Sequence, residues 1–77
     1  MRGSQLTRQW RILLLIESRK LGITGSEIAS ELEVPIRTVY RDLEVIQGAG
    51  FPLFTERNGR YSLWKMLDTF KINFGLL

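Results

Sequence analysis

Apolar positions recur at helical spacing over three stretches of the chain and alternate over a fourth. From about Gln5 to Lys20, Ile12, Leu13 and Ile16 share a face, with Gln9 one turn earlier. That is the spacing of a helix burying one stripe. Trp10 and Leu14 form a second apolar strip beside it, Leu6 extends that strip, and Leu15 lies toward the far side. One surface helix does not need so wide an arc. The pattern therefore predicts either added burial within the monomer or contact with another chain or domain. Leu21-Gly22-Ile23 ends the helix, with Gly22 as the stop.

Thr24-Gly25-Ser26-Glu27 has the spacing of a capping box, a threonine hydroxyl facing one amide and a glutamate reaching back to another. It predicts a short second helix over about 25–33. Ile28, Ala29 and Leu32 point inward, and Glu27, Glu31 and Glu33 point away. Val34-Pro35 breaks it, because proline disfavours helical geometry in the preceding residue and suits the first turn of the next helix. The third helix runs from Pro35 to about Gly48. Val39, Leu43 and Ile46 fall on one side, with Ile36 at the edge. Arg37 and Arg41 fall on the opposite side, flanked by Tyr40 and Thr38. Gly48-Ala49-Gly50 and then Phe51-Pro52 forbid its continuation.

Residues 53–57 and 60–64 read as two strands around Asn58-Gly59, a strong hairpin signal. A two-residue loop there sets Arg57 opposite Arg60, Glu56 opposite Tyr61, Thr55 opposite Ser62 and Phe54 opposite Leu63. Phe54, Tyr61 and Leu63 would share the face turned to the helices. In residues 65–77, Phe70, Ile72, Phe74 and Leu76 alternate with Lys71, Asn73 and Gly75, which predicts a further strand. This apolar tail is either a truncated segment or one that packs on something else. The expected fold is α+β, mainly α: a winged helix–turn–helix of three helices and a two-stranded β-hairpin wing. It occupies residues 5–64, and residues 65–77 form the tail.

At 77 residues the chain suits one small domain, and its formal charge of +3 permits a polyanionic partner without requiring one. It has no cysteine and no histidine, which excludes disulfides and the usual zinc sites. The longest apolar run, Ile12 to Ile16, is too short for a membrane span or a signal-peptide core. A soluble cytoplasmic protein is expected, with no membrane contact. No glycine-rich phosphate loop or carboxylate pair in an evident pocket suggests an enzyme, and no cofactor or metal is expected. Glu27, Glu31 and Glu33 read as a solvated helix face.

Four pieces carry a resemblance: Thr24-x-x-Glu27-Ile28-Ala29-x-x-Leu32-x-Val34; Arg37-Thr38-Val39-x-Arg41-Asp42-Leu43; Gly50-Phe51-Pro52-Leu53; and Gly59-x-Tyr61-x-Leu63. Together they resemble the N-terminal domain of bacterial WYL-domain transcriptional regulators, similar to the DeoR-like helix–turn–helix. The resemblance covers most of residues 5–64. It implies a DNA-binding module joined to a sensing WYL domain that this chain lacks, with residues 65–77 as the possible start of the linker. The chain departs from the family pattern twice. Val34-Pro35 stands where a serine often caps the recognition helix, and Asn58-Gly59-Arg60-Tyr61 replaces a Gly-Gly-Tyr wing.

On this reading the third helix, 35–48, enters the major groove of duplex DNA. Arg37 and Arg41 either read guanine edges or grip phosphates. Thr38 meets a phosphate or a thymine methyl, and the Tyr40 hydroxyl a phosphate. The amides opening helix two, with the Ser26 hydroxyl, offer a phosphate site. Arg57, Asn58 and Arg60 carry the wing (53–64) onto the backbone or minor groove. Competing roles are visible for each. Arg41 has Glu44 three residues on as an ion-pair partner, Tyr40 could simply pack at the core boundary, and the wing arginines could be solvated. Arg8 and Arg11 belong either to a DNA-facing surface or to an ordinary charged face, and Asp42 is expected to be an internal partner for an arginine of helix one or the wing. The expected assembly is a homodimer, through the missing C-terminal region or through Trp10, Leu14, Leu15 and the tail, located in the cytoplasm at the nucleoid. The alternative function is a winged-helix protein-interaction or assembly module without DNA binding; a lesser one is RNA binding by the basic wing.

Overall fold

The computed structural model describes residues 4–67. They form three helices, α1 (Gln5–Ser18), α2 (Gly25–Leu32) and α3 (Ile36–Gly48), followed by strands β1 (Leu53–Asn58) and β2 (Tyr61–Met66). The fold is the winged helix–turn–helix that the sequence predicts. The strand predicted around Phe70 to Leu76 lies outside the described residues.

Local chemistry fixes most boundaries. Ser4 caps α1, its Oγ accepting from the Thr7 amide at 3.0 Å. The helix closes at Ser18, two residues short of Lys20, and the chain turns with the Gly22 amide donating to the Arg19 carbonyl at 3.0 Å. Gly22 sits at φ +97°, and a Cβ there would lie 2.7 Å from the Leu63 Cβ. The residue is glycine because the backbone is left-handed and β2 passes against it. At α2 the capping box forms in full: the Glu27 amide donates to Thr24 Oγ1 at 3.1 Å and the Thr24 amide to Glu27 Oε1 at 2.9 Å. Glu33 ends α2 in the left-handed region (φ 57°, ψ 47°), and the Val34 amide reaches back to the Ala29 carbonyl at 3.1 Å. The turn between α2 and α3 is thus Glu33-Val34-Pro35. Pro35 precedes α3 with no side-chain cap, as the missing serine implied.

The core is one cluster. Ile12, Leu13 and Ile16 of α1 meet Ile28 and Leu32 of α2, Val39, Leu43 and Ile46 of α3, and Ile23, Leu53 and Met66. The three apolar stripes read from the sequence are the buried ones. The wide arc on α1 resolves differently for its members. Leu15 packs on the core, whereas Trp10 stays 42% exposed and Leu14 41% exposed. Among the described residues, burial therefore does not account for the whole arc. Leu14, Leu15 and Leu32, with Arg11, Ser18 and Glu31 around them, line a shallow groove between α1 and α2.

The wing differs from its predicted register. Asn58 pairs with Tyr61, Arg57 with Ser62, Glu56 with Leu63, Thr55 with Trp64, Phe54 with Lys65 and Leu53 with Met66. The loop is therefore Gly59-Arg60 rather than Asn58-Gly59, and β2 runs two residues past Trp64. Gly59 takes φ +64°, while neither Asn58 nor Arg60 is left-handed. Only the first loop position then needs glycine, the requirement of a type II′ rather than a type I′ turn. A slip of two residues keeps every side chain on its face and changes only its partner. Phe54, Tyr61 and Leu63 do share a face, but not the one turned to the core. Leu53 and Met66 are buried, while Tyr61 is 65% exposed. The register is set from outside the hairpin. Trp64 exchanges both backbone hydrogen bonds with Ile23, its amide donating to the Ile23 carbonyl at 2.7 Å and its carbonyl accepting at 3.2 Å.

Candidate nucleic-acid interface

The candidate surface is the outer face of α3. Because Val39, Leu43 and Ile46 fill the core, the helical period turns Arg37, Tyr40 and Arg41 outward. A buried polar cluster fixes the roll of the helix. Asp42 is fully buried and accepts hydrogen bonds from Arg8 Nε, from Arg8 Nη2 at 3.0 Å and from Gln9 Nε2 at 3.1 Å. Burial by itself would raise the Asp42 carboxyl. The hydrogen bonds from Arg8 and Gln9 and the positive charges of Arg8 and Arg41 outweigh it, and Asp42 titrates below its ordinary value. The expectation that Asp42 is an internal partner for an arginine of helix one is correct, and Arg8 is thereby committed to α1–α3 packing. Gln9, read as part of the apolar face, is a partner in the same cluster. A buried aspartate needs more donors than one guanidinium supplies, and a polar residue inside an apolar stripe is the signal that marks such a donor.

Arg37, Tyr40, Arg41 and Glu44 of α3 form one side of an open groove of about 440 Å³, and Trp64 of β2 forms the other. Among the described residues neither Arg37 nor Arg41 makes an ion pair, so Glu44 does not occupy Arg41 in the way its spacing allowed. Tyr40 is 48% exposed, and its ring lies over the start of α2: a Cβ at Gly25 would meet its Cε1 and hydroxyl oxygen at 2.9 Å. Packing and exposure therefore coexist at Tyr40. Its hydroxyl lies over Gly25, the first residue of α2, and the residue that follows, Ser26, is exposed. Thr38 is half-buried, its amide bonded to the Pro35 carbonyl at 3.0 Å, and it does not line the groove.

The wing-tip candidates lie apart from the groove. Arg57, Asn58 and Arg60 are all exposed. Arg57 and Arg60 are not opposed across the hairpin, because Arg57 faces Ser62 and Arg60 is in the loop. Arg57 Nε donates to the Gly59 carbonyl at 3.2 Å, folding the side chain over the tip. The like-charge opposition that the predicted register implied is thus absent. Trp64 is a groove residue that the sequence did not single out, and Glu44, read only as an ion-pair partner for Arg41, lines the groove as well. Trp64 read as one more strand aromatic, and only its distance from α3 in space gives it another role.

No described helix is long and apolar enough to cross a membrane. A family model described as an HTH domain matches residues 8–60. A relative from Bacillus subtilis (strain 168), described as the uncharacterized HTH-type transcriptional regulator YobV, is 38% identical over 53 residues. The match covers 69% of this chain and 17% of that relative, so the chain spans a small part of the longer protein's length. The matched span runs from Arg8, which anchors α3, through the groove-lining residues of α3 to the wing loop at Arg60. With the helix–turn–helix geometry also in place, the chain belongs to the HTH domain family.

Proposed function

We propose that this chain is the DNA-binding domain of a bacterial transcriptional regulator, with α3 lying in the major groove of duplex DNA. The observation that carries the reading is the pair Arg37 and Arg41. Both project from the exposed face of a helix whose other face is buried, and neither is neutralised by an ion pair among the described residues. Two unpaired guanidiniums one turn apart, on a chain of net charge +3, suit an anionic or guanine-rich surface. The description of the Bacillus relative as an HTH-type transcriptional regulator supports the same reading.

In this arrangement Tyr40, whose ring lies over Gly25 at the start of α2, and Ser26, the next residue of that helix, contact one phosphate group. Thr38 lies at the edge of the base-facing surface. Arg57, Asn58 and Arg60 carry the wing tip to the flanking backbone or minor groove. The domain works as half of a homodimer that reads two half-sites about one helical turn apart. Trp10 and Leu14, left partly exposed on α1, and Leu15 beside them supply one dimer surface, and a C-terminal WYL domain, with residues 65–77 leading toward it, supplies another. The protein acts in the cytoplasm at the nucleoid.

The test is fluorescence anisotropy of a labelled random-sequence duplex against salt, with the wild type and with Arg37→Ala/Arg41→Ala. The wild type should bind with an affinity that falls steeply as salt rises. If the arginines grip phosphates, the double variant should lower the salt slope by about two. If they read bases, each contributes about 1–3 kcal/mol on a preferred sequence and little on a random one. A folded wild type with no salt-dependent binding refutes the proposal and leaves the protein-interaction module as the reading.

A further inference from the structure

We propose that Trp64 is a DNA-contacting residue: it forms the wing-side wall of the α3 groove and donates its indole Nε1–H to a phosphate held there by Arg37 and Arg41. This rests on the DNA-binding reading above and adds to it a neutral donor on a different element.

Three observations carry it. Trp64 is the β2 residue lining the groove, across from Arg37, Tyr40, Arg41 and Glu44. Its position is fixed. Both backbone groups bond to Ile23, it pairs with Thr55 across the hairpin, and part of its ring packs on the core. No hydrogen bond to its indole nitrogen exists among the described residues, although the Glu44 carboxylate lines the same groove.

An indole nitrogen only donates, so its partner in the groove must be an acceptor. Two guanidiniums on the facing wall select an anionic acceptor, and Glu44 at the edge repels one. A phosphate is therefore confined to the part of the groove between the arginines and the indole. A tryptophan with its body packed and one edge wet suits that task, because it presents a donor at little cost in side-chain freedom. The wing would then hold the DNA strand through β2 itself as well as through its charged tip.

The chain has two tryptophans, Trp10 on α1 and Trp64; Trp10 does not line the groove, so Trp10→Phe leaves Trp64 as the sole reporter. The duplex affinity of Trp10→Phe is first compared with that of the wild type, so that any effect on the α1 surface is separated from the Trp64 signal. Emission and acrylamide quenching of this variant are followed while a random-sequence duplex is added at low salt, with anisotropy of the labelled duplex measured in parallel. The expected result is a saturable change in Trp64 emission that tracks anisotropy, together with protection from acrylamide. Trp64→Phe, which keeps an aromatic ring and removes the donor, should then weaken binding by about ten- to a hundredfold, the loss of one hydrogen bond to a charged group. Its salt slope should stay that of the wild type, because a neutral donor displaces no counterion. Binding by anisotropy with Trp64 emission and accessibility unchanged overturns the inference and leaves the DNA reading standing. So does wild-type affinity in a folded Trp64→Phe, or a reduced salt slope, which would mark a displaced wing rather than a lost donor. If no salt-dependent binding occurs at all, both readings fall.

Discussion

Replacing Arg8 by alanine should cost this small domain a large share of its stability and change how that stability responds to pH. Asp42 lies fully buried between α1 and α3, with two of its three donors on Arg8. Removing one partner of a buried ion pair costs about 3–5 kcal/mol, because the other charge is left without compensation. The converse change, Asp42→Ala, should cost less. The Arg8 side chain is 25% exposed and can turn its charge to water, whereas Asp42 cannot. For Arg8→Ala the lower end is expected, about 3 kcal/mol, since Gln9 still donates one bond. In a domain of this size that lowers Tm by roughly 12–24 °C.

The pH response supplies the sharper test. In the wild type the folded carboxyl titrates below its unfolded value. Its contribution is therefore complete above the unfolded pKa and is lost as pH falls through the lower folded one. Without Arg8, burial is the largest single remaining influence, opposed by the Gln9 hydrogen bond and the Arg41 charge, and the folded pKa is expected to rise above the unfolded one. The buried charge then penalises the fold at neutral pH, and protonation relieves that penalty as pH falls toward the unfolded pKa. The gap between variant and wild type should shrink on acidification from neutral pH into the carboxylate range. Urea unfolding followed by circular dichroism at a series of pH values measures it. A cost under about 0.5 kcal/mol, the size of an ordinary surface substitution, would refute the reasoning, as would a gap that does not change with pH.

Two other expectations concern the backbone. Glu33→Gly should raise stability by about 0.5–1 kcal/mol, because a left-handed non-glycine residue costs about 1–2 kcal/mol and glycine returns part of that gain through its unfolded-state entropy; a lower Tm would contradict it. Gly22→Ala should destabilise by about 2 kcal/mol or more, combining positive φ with a Cβ 2.7 Å from that of Leu63, and an unchanged melting curve would show that the turn relaxes freely.

How much of this molecule is legible in its sequence depends on the range of the interaction. The three helices, the capping box at Thr24 and Glu27, the break at Val34-Pro35 and the inward stripe of Val39, Leu43 and Ile46 follow from spacing and local hydrogen bonding. Each is set by residues within a turn or two. The outward direction of Arg37 and Arg41 follows from the same period. The hairpin shows the limit. Alternation identified the two strands and the side chains sharing each face, but a period of two cannot separate registers that differ by two residues. It also cannot say which face is inside. Both were decided by Ile23, some forty residues upstream, whose backbone pairs with Trp64, and by the burial of Leu53 and Met66.

The site divides along the same line. Sequence alone determined that this is a helix–turn–helix with a basic outer face on its third helix, because amphipathic period and helix capping are local properties of the chain. Only the tertiary structure decided that Asp42 is held by Arg8 and Gln9, that Tyr40 lies over Gly25, and that Trp64 stands across a groove from Arg37 and Arg41. Those are contacts between segments far apart in the chain, fixed by how three helices and a hairpin close on one core, and no spacing within any single segment encodes them.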